Sequence, residues 1–405
     1  MTTTKINEHK KLNVPNKREQ NQTCLDSAER EGLRPKGNVP NLRFPEFQGE
    51  WKEHKLEDIT TEIGDGIHAT PIYDDNGTFY FVNGNNISEY GIIITATTQK
   101  VTEEEALRNN ASALNSYSIL LSINGTVGNV ALYKNESIML GKSACYINVS
   151  SNINRNYIFY YLMMPKCQFY FTSELTGTTI KNLSLKSIRK TKVLLPNANE
   201  QSKIARLFDA INERIATQNK IIDKLQSLIK GIAQKIVRSN KPNVRLTECM
   251  ECKSSTLQES EVCEQGTYPV YGANGIVGYL DNYNTEGEAV YIIKDGSGVG
   301  TVSYVTGKCS ATGTLNTLQA KEGYSLQYLY YLLKVFNFEP YKTGMAIPHI
   351  YFKDYGKAKV FCPSYTEQLQ YARLLSAIDN KLSAEQHILT NLSLQKQYLL
   401  RQMFI

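Results

Sequence analysis

Two long stretches of the chain repeat apolar residues at alternating steps of four and three, which is the spacing of a coiled-coil seam. The first runs through Ile204, Phe208, Ile211, Ile215, Gln218, Ile222, Leu225, Ile229, Ile232 and Ile236. The second runs through Tyr371, Leu375, Ile378, Leu382, Glu385, Leu389, Leu392, Lys396, Leu399 and Met403. Because Gln218 and Glu385 interrupt both seams at the same place, packing of the helices on each other is favoured over packing on separate domains. The first seam is roughly 50 Å long at the helical rise per residue.

Ahead of each seam, short apolar runs alternate with turns rich in asparagine and glycine, a pattern that predicts β-strands. The clearest runs are 79–86 and 118–128 in the first half, and 268–275 and 289–300 in the second. We therefore expect an α+β fold with two β-rich domains in a pseudo-two-fold arrangement. Two long helices, forming an antiparallel coiled coil, should separate them.

A segment that recurs with an offset of 167 residues indicates duplication. It contains a loop, a short apolar strand that ends in proline, and a glutamate-glutamine entry to the long helix. The matched parts are 176–183 with 343–350, Lys186 with Lys353, 193–196 with 360–363, and Glu200-Gln201 with Glu367-Gln368. Similar scaffolds with different connecting loops imply one kind of task on two different ligands.

Length and composition fit this organisation, since 405 residues with 41% hydrophobic and 21% charged side chains allow about two or three domains. The apolar stretches are of strand length and no signal peptide is recognisable, so a cytoplasmic protein without membrane association is expected. The predicted segments are 1–38, a disordered polar tail; 39–197, the first domain; 198–239, the first helix; 240–363, the second domain; and 364–405, the second helix.

Charge and cysteine content narrow the function only a little. A net charge of +6 suits a polyanionic partner but is far below that of a histone-like binder. The eight cysteines are expected to be reduced thiols. Cys249 and Cys252 form a CxxC with Cys263 further on, but the next candidate ligand is only Cys309. We therefore expect no metal site.

Two segments resemble catalytic motifs, but the residues around them do not match those motifs. The glycine-rich run 296–300 is followed by strand-like residues, whereas a nucleotide loop is followed by a helix, so a hairpin turn is expected there. Gly141-Lys142-Ser143 lacks the earlier glycine of a phosphate loop, because Glu136 occupies that position. The sequence also contains no base-holding segment of an adenine methyltransferase and no nucleophile elbow. A binding protein is therefore favoured over an enzyme.

Together these features resemble the specificity subunits of type I restriction-modification systems. The resemblance covers essentially the whole chain after the tail. It is carried by Val39–Phe47 before Trp51, by the run Tyr268–Gly275, and by the two glutamate-glutamine helix entries. It implies two target-recognition domains, each reading a few base pairs of a split double-stranded DNA sequence, with the helix pair as a ruler for the gap.

The resemblance also implies partners and their cofactors. Such subunits work with two copies of an adenine methyltransferase (modification) subunit and, for cleavage, with motor-nuclease (restriction) subunits. S-adenosylmethionine belongs to the methyltransferase, and ATP and Mg belong to the motor-nuclease, so no cofactor is expected on this chain. A duplicated chain can offer equivalent docking surfaces to two identical partners while its unlike halves read unlike sequences.

Residues that contact DNA should be polar or basic side chains on the loops of each half. Lys186 and Lys353 are expected to contact phosphates, because a backbone contact can be shared by both halves whatever sequence is read. The candidates are His68, Asn83, Asn85, Asn86, Asn124, Thr126, Lys142, Thr178, Thr179, Lys181 and Lys186 in the first half, and Asn274, Lys294, Ser297, Lys342, His349, Tyr351 and Lys353 in the second.

Two other functions stay open at this point. One is a coiled-coil scaffold that joins proteins and binds no DNA. The other is a methyltransferase or nuclease fragment with its own catalytic site. Preference for a split DNA sequence would exclude the scaffold, and methyl transfer by the isolated chain would favour the enzyme.

Overall fold

The computed structural model describes residues 37–177, 181–344 and 346–405, which form two compact units. Unit 1 contains the described residues up to Ile215 together with Asn391–Ile405, and unit 2 is Ala216–Thr390. Apart from its last two positions, the predicted tail 1–38 lies outside the described residues. No helix in the described part of the chain is long and apolar enough to span a membrane.

Unit 1 contains a β-rich domain followed by the start of the first long helix. The strands are Lys52–Lys55 (β1), Thr60–Asp65 (β2), Phe79–Val82 (β3), Ile87–Ser88 (β4), Gly91–Ile92 (β5), Lys100–Val101 (β6), Ser118–Ser122 (β7), Val130–Leu132 (β8), Ile138–Leu140 (β9), Ala144–Val149 (β10) and Lys192–Leu195 (β11). The helices are Glu103–Arg108 (α1), Arg155–Met163 (α2), Pro165–Ser173 (α3), Leu185–Arg189 (α4) and Ala198–Arg238 (α5), with 3₁₀ turns at Leu56–Ile59, Gly84–Asn86 and Ala111–Ala113.

The central sheet of unit 1 has the strand order β2-β10-β7-β8. Every residue of β7 and β10 is buried, which explains why β7 is a continuous apolar run and not an alternating one. Helix α2 packs against β7 and β8. Leu120 of β7 joins a core cluster with Val82 and Leu140, so the strand ends that carry the candidate loops are anchored in a dry core.

Unit 2 repeats this layout. Its strands are Val244–Arg245 (β12), Met250–Ser254 (β13), Tyr268–Gly272 (β14), Gly275–Leu280 (β15), Glu288–Ile293 (β16), Val302–Thr306 (β17), Ser310–Ala311 (β18), Leu315–Ala320 (β19) and Lys359–Val360 (β20). Its helices are Leu246–Cys249 (α6), Leu326–Leu333 (α7), Phe352–Tyr355 (α8) and Tyr365–Gln402 (α9), the last of which ends in unit 1, with 3₁₀ turns at Glu259–Glu261 and Glu339–Tyr341.

The duplication extends to the sheets, although their sequences have diverged. The order β13-β19-β16-β17 matches β2-β10-β7-β8, and β15-β14-β18 matches β6-β3-β9. The pairings of β3 with β9 and of β14 with β18 are both parallel. Strands β16 and β17 pair antiparallel, which confirms the hairpin predicted at the glycine-rich run 296–300.

The glutamine of each helix entry ties the long helix to its own domain. The side-chain amides of Gln201 and Gln368 each donate to the carbonyl of the proline five residues earlier, both at 2.9 Å. Their side-chain oxygens accept from the backbone N–H of Asn154 at 3.1 Å and of Ser325 at 2.9 Å. Both side chains are buried, and unpaired amides there would be costly. The repeated entry motif is therefore explained by a repeated buried hydrogen-bond network.

The two long helices pack antiparallel in unit 2. The polar breaks of the seams contact each other, since the Gln218 amide donates to the backbone oxygen of Glu385 at 3.0 Å and also to its carboxylate. Asn243, just after α5, donates to the carbonyl of Cys362, just before α9, at 2.7 Å. From the polar pair, α5 runs forward to Asn243, whereas α9 has to be followed backward to reach Cys362, which lies beside Asn243. The two helices therefore run in opposite directions.

In unit 1 the N-terminal segment joins the start of α5 to the end of α9. The Leu42 N–H donates to the Gln402 carbonyl at 2.9 Å. The Arg43 guanidinium donates two bonds to the Glu200 carboxylate, at 2.7 and 2.8 Å, and the Glu200 side chain is completely buried. The α+β class and the paired long helices are confirmed, whereas the domain limits drawn from the sequence stay predictions.

Candidate nucleic-acid interface

The described ends of the repeated loop make the same backbone hydrogen bonds in both units. In unit 1 the Thr176 N–H donates to the Asn182 carbonyl at 3.0 Å, and the Asn182 N–H donates back at 2.8 Å. In unit 2 the Thr343 and His349 backbones make the same two bonds at 2.9 and 2.8 Å. Each threonine hydroxyl also donates to the facing carbonyl, at 3.2 Å in both units. The ends of the loop are therefore closed in the same way in both copies.

Each repeated loop is fixed to the turn that follows the central strand of its sheet. Asn124 pairs with Asn182 in unit 1, and Asp295 pairs with His349 in unit 2. In unit 2 this pairing brings the predicted contact residue His349 next to Lys294, the neighbour of Asp295. In unit 1 it brings the predicted Asn124 next to Asn182, which was not predicted but adjoins Lys181. The anchoring bonds are Leu183 N–H to Ile123 O and Ile350 N–H to Lys294 O, both 2.9 Å.

Ser143 holds the Asn83 turn of unit 1. The Ser143 hydroxyl donates to the Asn83 side-chain oxygen at 3.0 Å and accepts from the Gly84 N–H at 2.8 Å. The Asn86 side chain accepts from the Asn83 N–H and donates to the Ile93 carbonyl. Asn83 and Asn86 thus stabilise the turn, whereas the adjacent Asn85 is exposed. From the sequence, Ser143 is considered only within the rejected phosphate-loop run 141–143 and not as a residue that orders this turn, because a single serine gives no spacing signal.

Neighbouring loops of unit 1 close around the same place. The Asn124 amide donates to the Lys142 carbonyl and the Thr126 hydroxyl donates to the Gly84 carbonyl, both at 3.4 Å. This bond uses the backbone carbonyl of Lys142, and the Lys142 side chain is exposed. The loops after β3, β7 and β9 therefore form one continuous polar surface.

His68 joins this surface from the end of β2. Ile67, its neighbour, pairs with Gly141, which places the His68 loop beside the Lys142 turn. The exposed imidazole of His68 lies 2.8 Å from the Asp65 carboxylate. An imidazole held by a carboxylate in this way has a fixed ring orientation.

The remaining candidates of unit 1 lie in the repeated loop and on the short helix after it. Lys181 is exposed within the loop 176–183, and Lys186 is exposed on α4. Thr178 and Thr179 lie outside the described residues. The N–H of Ser187 donates to the Ser184 hydroxyl at 3.1 Å, which fixes the start of the short helix that carries Lys186.

In unit 2 the candidates gather around the repeated loop and the glycine-rich hairpin. The Gly296 N–H donates to the Pro348 carbonyl at 2.9 Å, which places the exposed Ser297 beside the loop. Lys342 makes a 2.6 Å ion pair with Glu339. The Lys353 ammonium lies 5.1 Å from the centre of the Tyr351 ring, a cation–π contact that orders an exposed cation.

The hairpin that carries Asn274 and the backbone of Lys294 both bond to the connection between β18 and β19. Asn274 lies exposed in the turn between β14 and β15. The Thr312 N–H donates to the Tyr271 carbonyl at the base of this hairpin, and the Lys294 N–H donates to the Thr314 carbonyl. The hairpin of Asn274 thus reaches the same group of loops as Lys294.

Burial makes three of the described cysteines, Cys145, Cys167 and Cys252, poor nucleophiles. Burial raises the pKa of the Cys252 thiol to about 11, although nearby Lys294 opposes this effect. Burial also raises the pKa of Cys145 and Cys167 well above the ordinary value, so these groups stay protonated at neutral pH. Within 37–177, 181–344 and 346–405, no group of three or more His, Cys, Asp or Glu side chains has metal-binding geometry.

Comparison with known proteins identifies the family. The model of the "Type I restriction modification DNA specificity domain" matches residues 48–227 and 239–394. The chain belongs to this family. Its two matched segments correspond to the two halves of the repeat, so this type I specificity protein carries the family's domain twice.

Relatives of this specificity protein agree with the assignment. A protein assigned as a type I specificity subunit in Mycoplasma genitalium is 25% identical over 315 residues, which are 71% of this chain and 80% of the relative. A counterpart in Mycoplasma pneumoniae is 26% identical over 294 residues, which are 65% of this chain and 76% of the relative.

A solved structure has the same fold. The S subunit of the type I restriction-modification system from M. genitalium superposes with a TM-score of 0.61 at 19% identity. The match covers 91% of this chain and 99% of the solved chain. The comparison shows that the specificity fold extends over nearly the whole described chain.

Proposed function

We propose that this chain is the DNA-recognition subunit of a type I restriction-modification complex and that each unit reads one half of a split target. The observation that carries the proposal is the repeated loop, with matching backbone bonds at Thr176–Asn182 and Thr343–His349. The side chains around it differ between the units. A repeated frame with different side chains suits one kind of ligand that carries two different sequences.

We assign the contacts to two classes. Lys186 and Lys353 occupy matching positions and would hold phosphates, which are present whatever the sequence. The exposed polar side chains that differ between the halves, such as Asn85 in unit 1 and Asn274 in unit 2, would read base edges. Asn86 is a weaker candidate because both polar ends of its side chain are engaged within the chain.

The long helices offer surfaces for two methyltransferase subunits. Ile221 of α5 and Ile388 of α9 hold matching positions in the repeat and are both exposed. Leu228 and Leu374 are exposed at heptad spacing from them, so each pair shares one helix face. An exposed isoleucine that recurs at the same position in both copies, as Ile221 and Ile388 do, suits two identical partners. Restriction subunits would then join through this complex.

In this proposal the chain itself catalyses nothing and holds no cofactor. S-adenosylmethionine would be bound by the methyltransferase subunits, and ATP and Mg by the motor-nuclease subunits.

Mapping methylated adenines tests the proposal. Genomic DNA from cells that contain this chain and its methyltransferase partner should carry methylated adenines in one split sequence, with one adenine in each half. A matched strain without this chain should lose that methylation. Modification that persisted without the chain, or that occurred at no split sequence, would contradict the proposal. Methyl transfer by the purified chain alone would instead show an enzyme.

A further inference from the structure

The repeated loop of unit 2 presents an unusually exposed aliphatic side chain. Ile347 is 62% exposed, more than any other large apolar residue described in unit 2. Leaving such a side chain in water forfeits burial energy. The aligned loop of the first half carries an isoleucine at the same position, Ile180, so the residue type recurs although most neighbouring side chains differ.

The loop is built to hold Ile347 in place. Its ends are closed by the two backbone bonds between Thr343 and His349. Gly344 has φ 88°, and a Cβ there would overlap the carbonyl oxygen of Ile347. The Pro348 carbonyl, directly after Ile347, accepts from the Gly296 N–H at 2.9 Å. The exposed side chain of Ile347 thus lies between described residues whose backbones are hydrogen-bonded at the ends of the loop and at Pro348.

Groups suited to a polyanion lie beside it along the chain. Lys342, which is paired with Glu339, precedes the loop, His349 closes it, and Lys353 lies over the partly exposed Tyr351 ring. The His349 and Tyr351 rings are in edge-to-face contact with centroids 5.8 Å apart. Basic side chains on both sides of Ile347 along the chain suit a surface that binds phosphates while one apolar side chain contacts stacked bases.

We propose that Ile347 is an apolar wedge that opens one base step in the half-site read by unit 2. This inference rests on the proposed function and extends it. A side chain repeated in two loops that face different sequences does a task that both halves share. Any duplex has base steps that an apolar side chain can open, at a cost that depends on the step. The base-reading side chains around it then supply the specificity.

A nick-scanning experiment tests the wedge. The probes are duplexes of the mapped target, each carrying a single backbone nick at one successive step of the second half-site. A nick leaves every base in place and lowers the cost of opening that step. The full chain with its methyltransferase partner should bind the duplex nicked at the wedged step about tenfold more tightly than the intact duplex.

The variant Ile347→Ala should bind intact target about tenfold more weakly and should gain little from any nick. Ile347→Leu, the matched control, should keep both the affinity and the gain. Because Ile347 is exposed, unchanged thermal unfolding of Ile347→Ala should show that the fold is retained.

Three outcomes would overturn the wedge. They are the absence of any nick-dependent gain in the wild type, an equal gain for Ile347→Ala, and a loss in Ile347→Ala that appears only on thymine-containing target and not on its uracil counterpart. The last would point to contact with a thymine methyl group. Lack of any sequence preference in the wild type would instead contradict the proposed function itself.

Discussion

At the scale of single residues, the loops of unit 1 separate side chains that hold the backbone from side chains that face solvent. Asn86 and Asn85 are adjacent residues of one type, yet Asn86 bonds at both ends within the chain and Asn85 is exposed. The sequence predicts both equally, because residue type alone does not show which way a turn directs its side chains. Conversely, the sequence does predict that Lys186 and Lys353 occupy equivalent positions, because both lie within the repeat.

The shared lysines should act on affinity without changing the sequence read. Lys353→Ala is expected to weaken binding to all duplexes to a similar degree and to lower the slope of log affinity against log salt by about one, since one phosphate contact is lost. Lys186→Ala should do the same through the other unit. Fluorescence anisotropy of the methyltransferase complex at several salt concentrations measures both values. Lys308→Ala, whose ammonium lies 4.7 Å from the Tyr283 ring, is the control and should leave the slope unchanged.

Arg43 should be the most sensitive charged residue of the N-terminal segment. Arg43→Ala leaves the completely buried Glu200 carboxylate without its partner, and we expect a loss of about 3 kcal/mol in the free energy of unfolding. Urea denaturation measures this loss. Lys192→Ala, which breaks the exposed pair with Glu53, should change stability by no more than about 0.5 kcal/mol. Equal effects of the two substitutions would mean that the burial of Glu200 is unimportant.

At the scale of elements, the heptad pattern predicts the long helices well but not every contact of their seam. Gln218 and Glu385 meet each other, as their matched positions suggest. Lys396, also on the seam, instead makes a 2.7 Å ion pair with Glu89 of the domain in unit 1. Periodicity identifies the face of a helix, whereas the partner of a buried cation depends on a loop far away in sequence.

The polar pair of the seam should make unit 2 sensitive to acid. The Lys381 ammonium and the Gln218 amide lower the pKa of Glu385 below its usual 4.5. Because the folded pKa is below the unfolded value, this stabilisation is complete above about pH 4.5 and is lost as the pH falls through the folded pKa. Urea midpoints from pH 7 to pH 3.5 should therefore fall more steeply for the wild type than for Glu385→Gln. Parallel pH profiles would exclude the contribution.

Helix length should set the gap in the target. Insertion of one heptad into both α5 and α9 adds about 10.5 Å to each helix, close to the length of three base pairs. We expect the unspecified gap to lengthen by about three base pairs while the bases read stay the same. Methylation mapping in cells with the extended chain measures the gap, and heptad replacement without insertion is the control. An unchanged gap would count against the ruler.

At the scale of the whole molecule, duplication was the most predictable feature, because the loop, strand and helix entry repeat in order. The sequence predicts that both halves contain β-strands, but it does not predict the strand order of the two matching sheets. The strand order follows from contacts between segments whose sequences have diverged, such as β3 with β9 and β14 with β18. The exposed isoleucine of the repeated loop was not singled out either, because a single apolar residue in a loop has no periodicity.

Two domains that read independently should be exchangeable. Replacement of residues 243–362 by the matching segment of a relative should change one half of the recognised sequence and leave the other half and the gap intact. Methylation mapping measures all three. Exchange with a relative that reads the same second half is the control and should change nothing. Loss of both halves in a folded chimera would contradict the modular account.

The bonds that close the repeated loop join main-chain atoms, Thr176 with Asn182 and Thr343 with His349. The last residue is an asparagine in one copy and a histidine in the other, yet the hydrogen bonds are the same. Point mutations at such positions can therefore alter the chemistry displayed to a ligand while the fold tolerates them. New preferences can accordingly accumulate one codon at a time, without an unstable intermediate along the route.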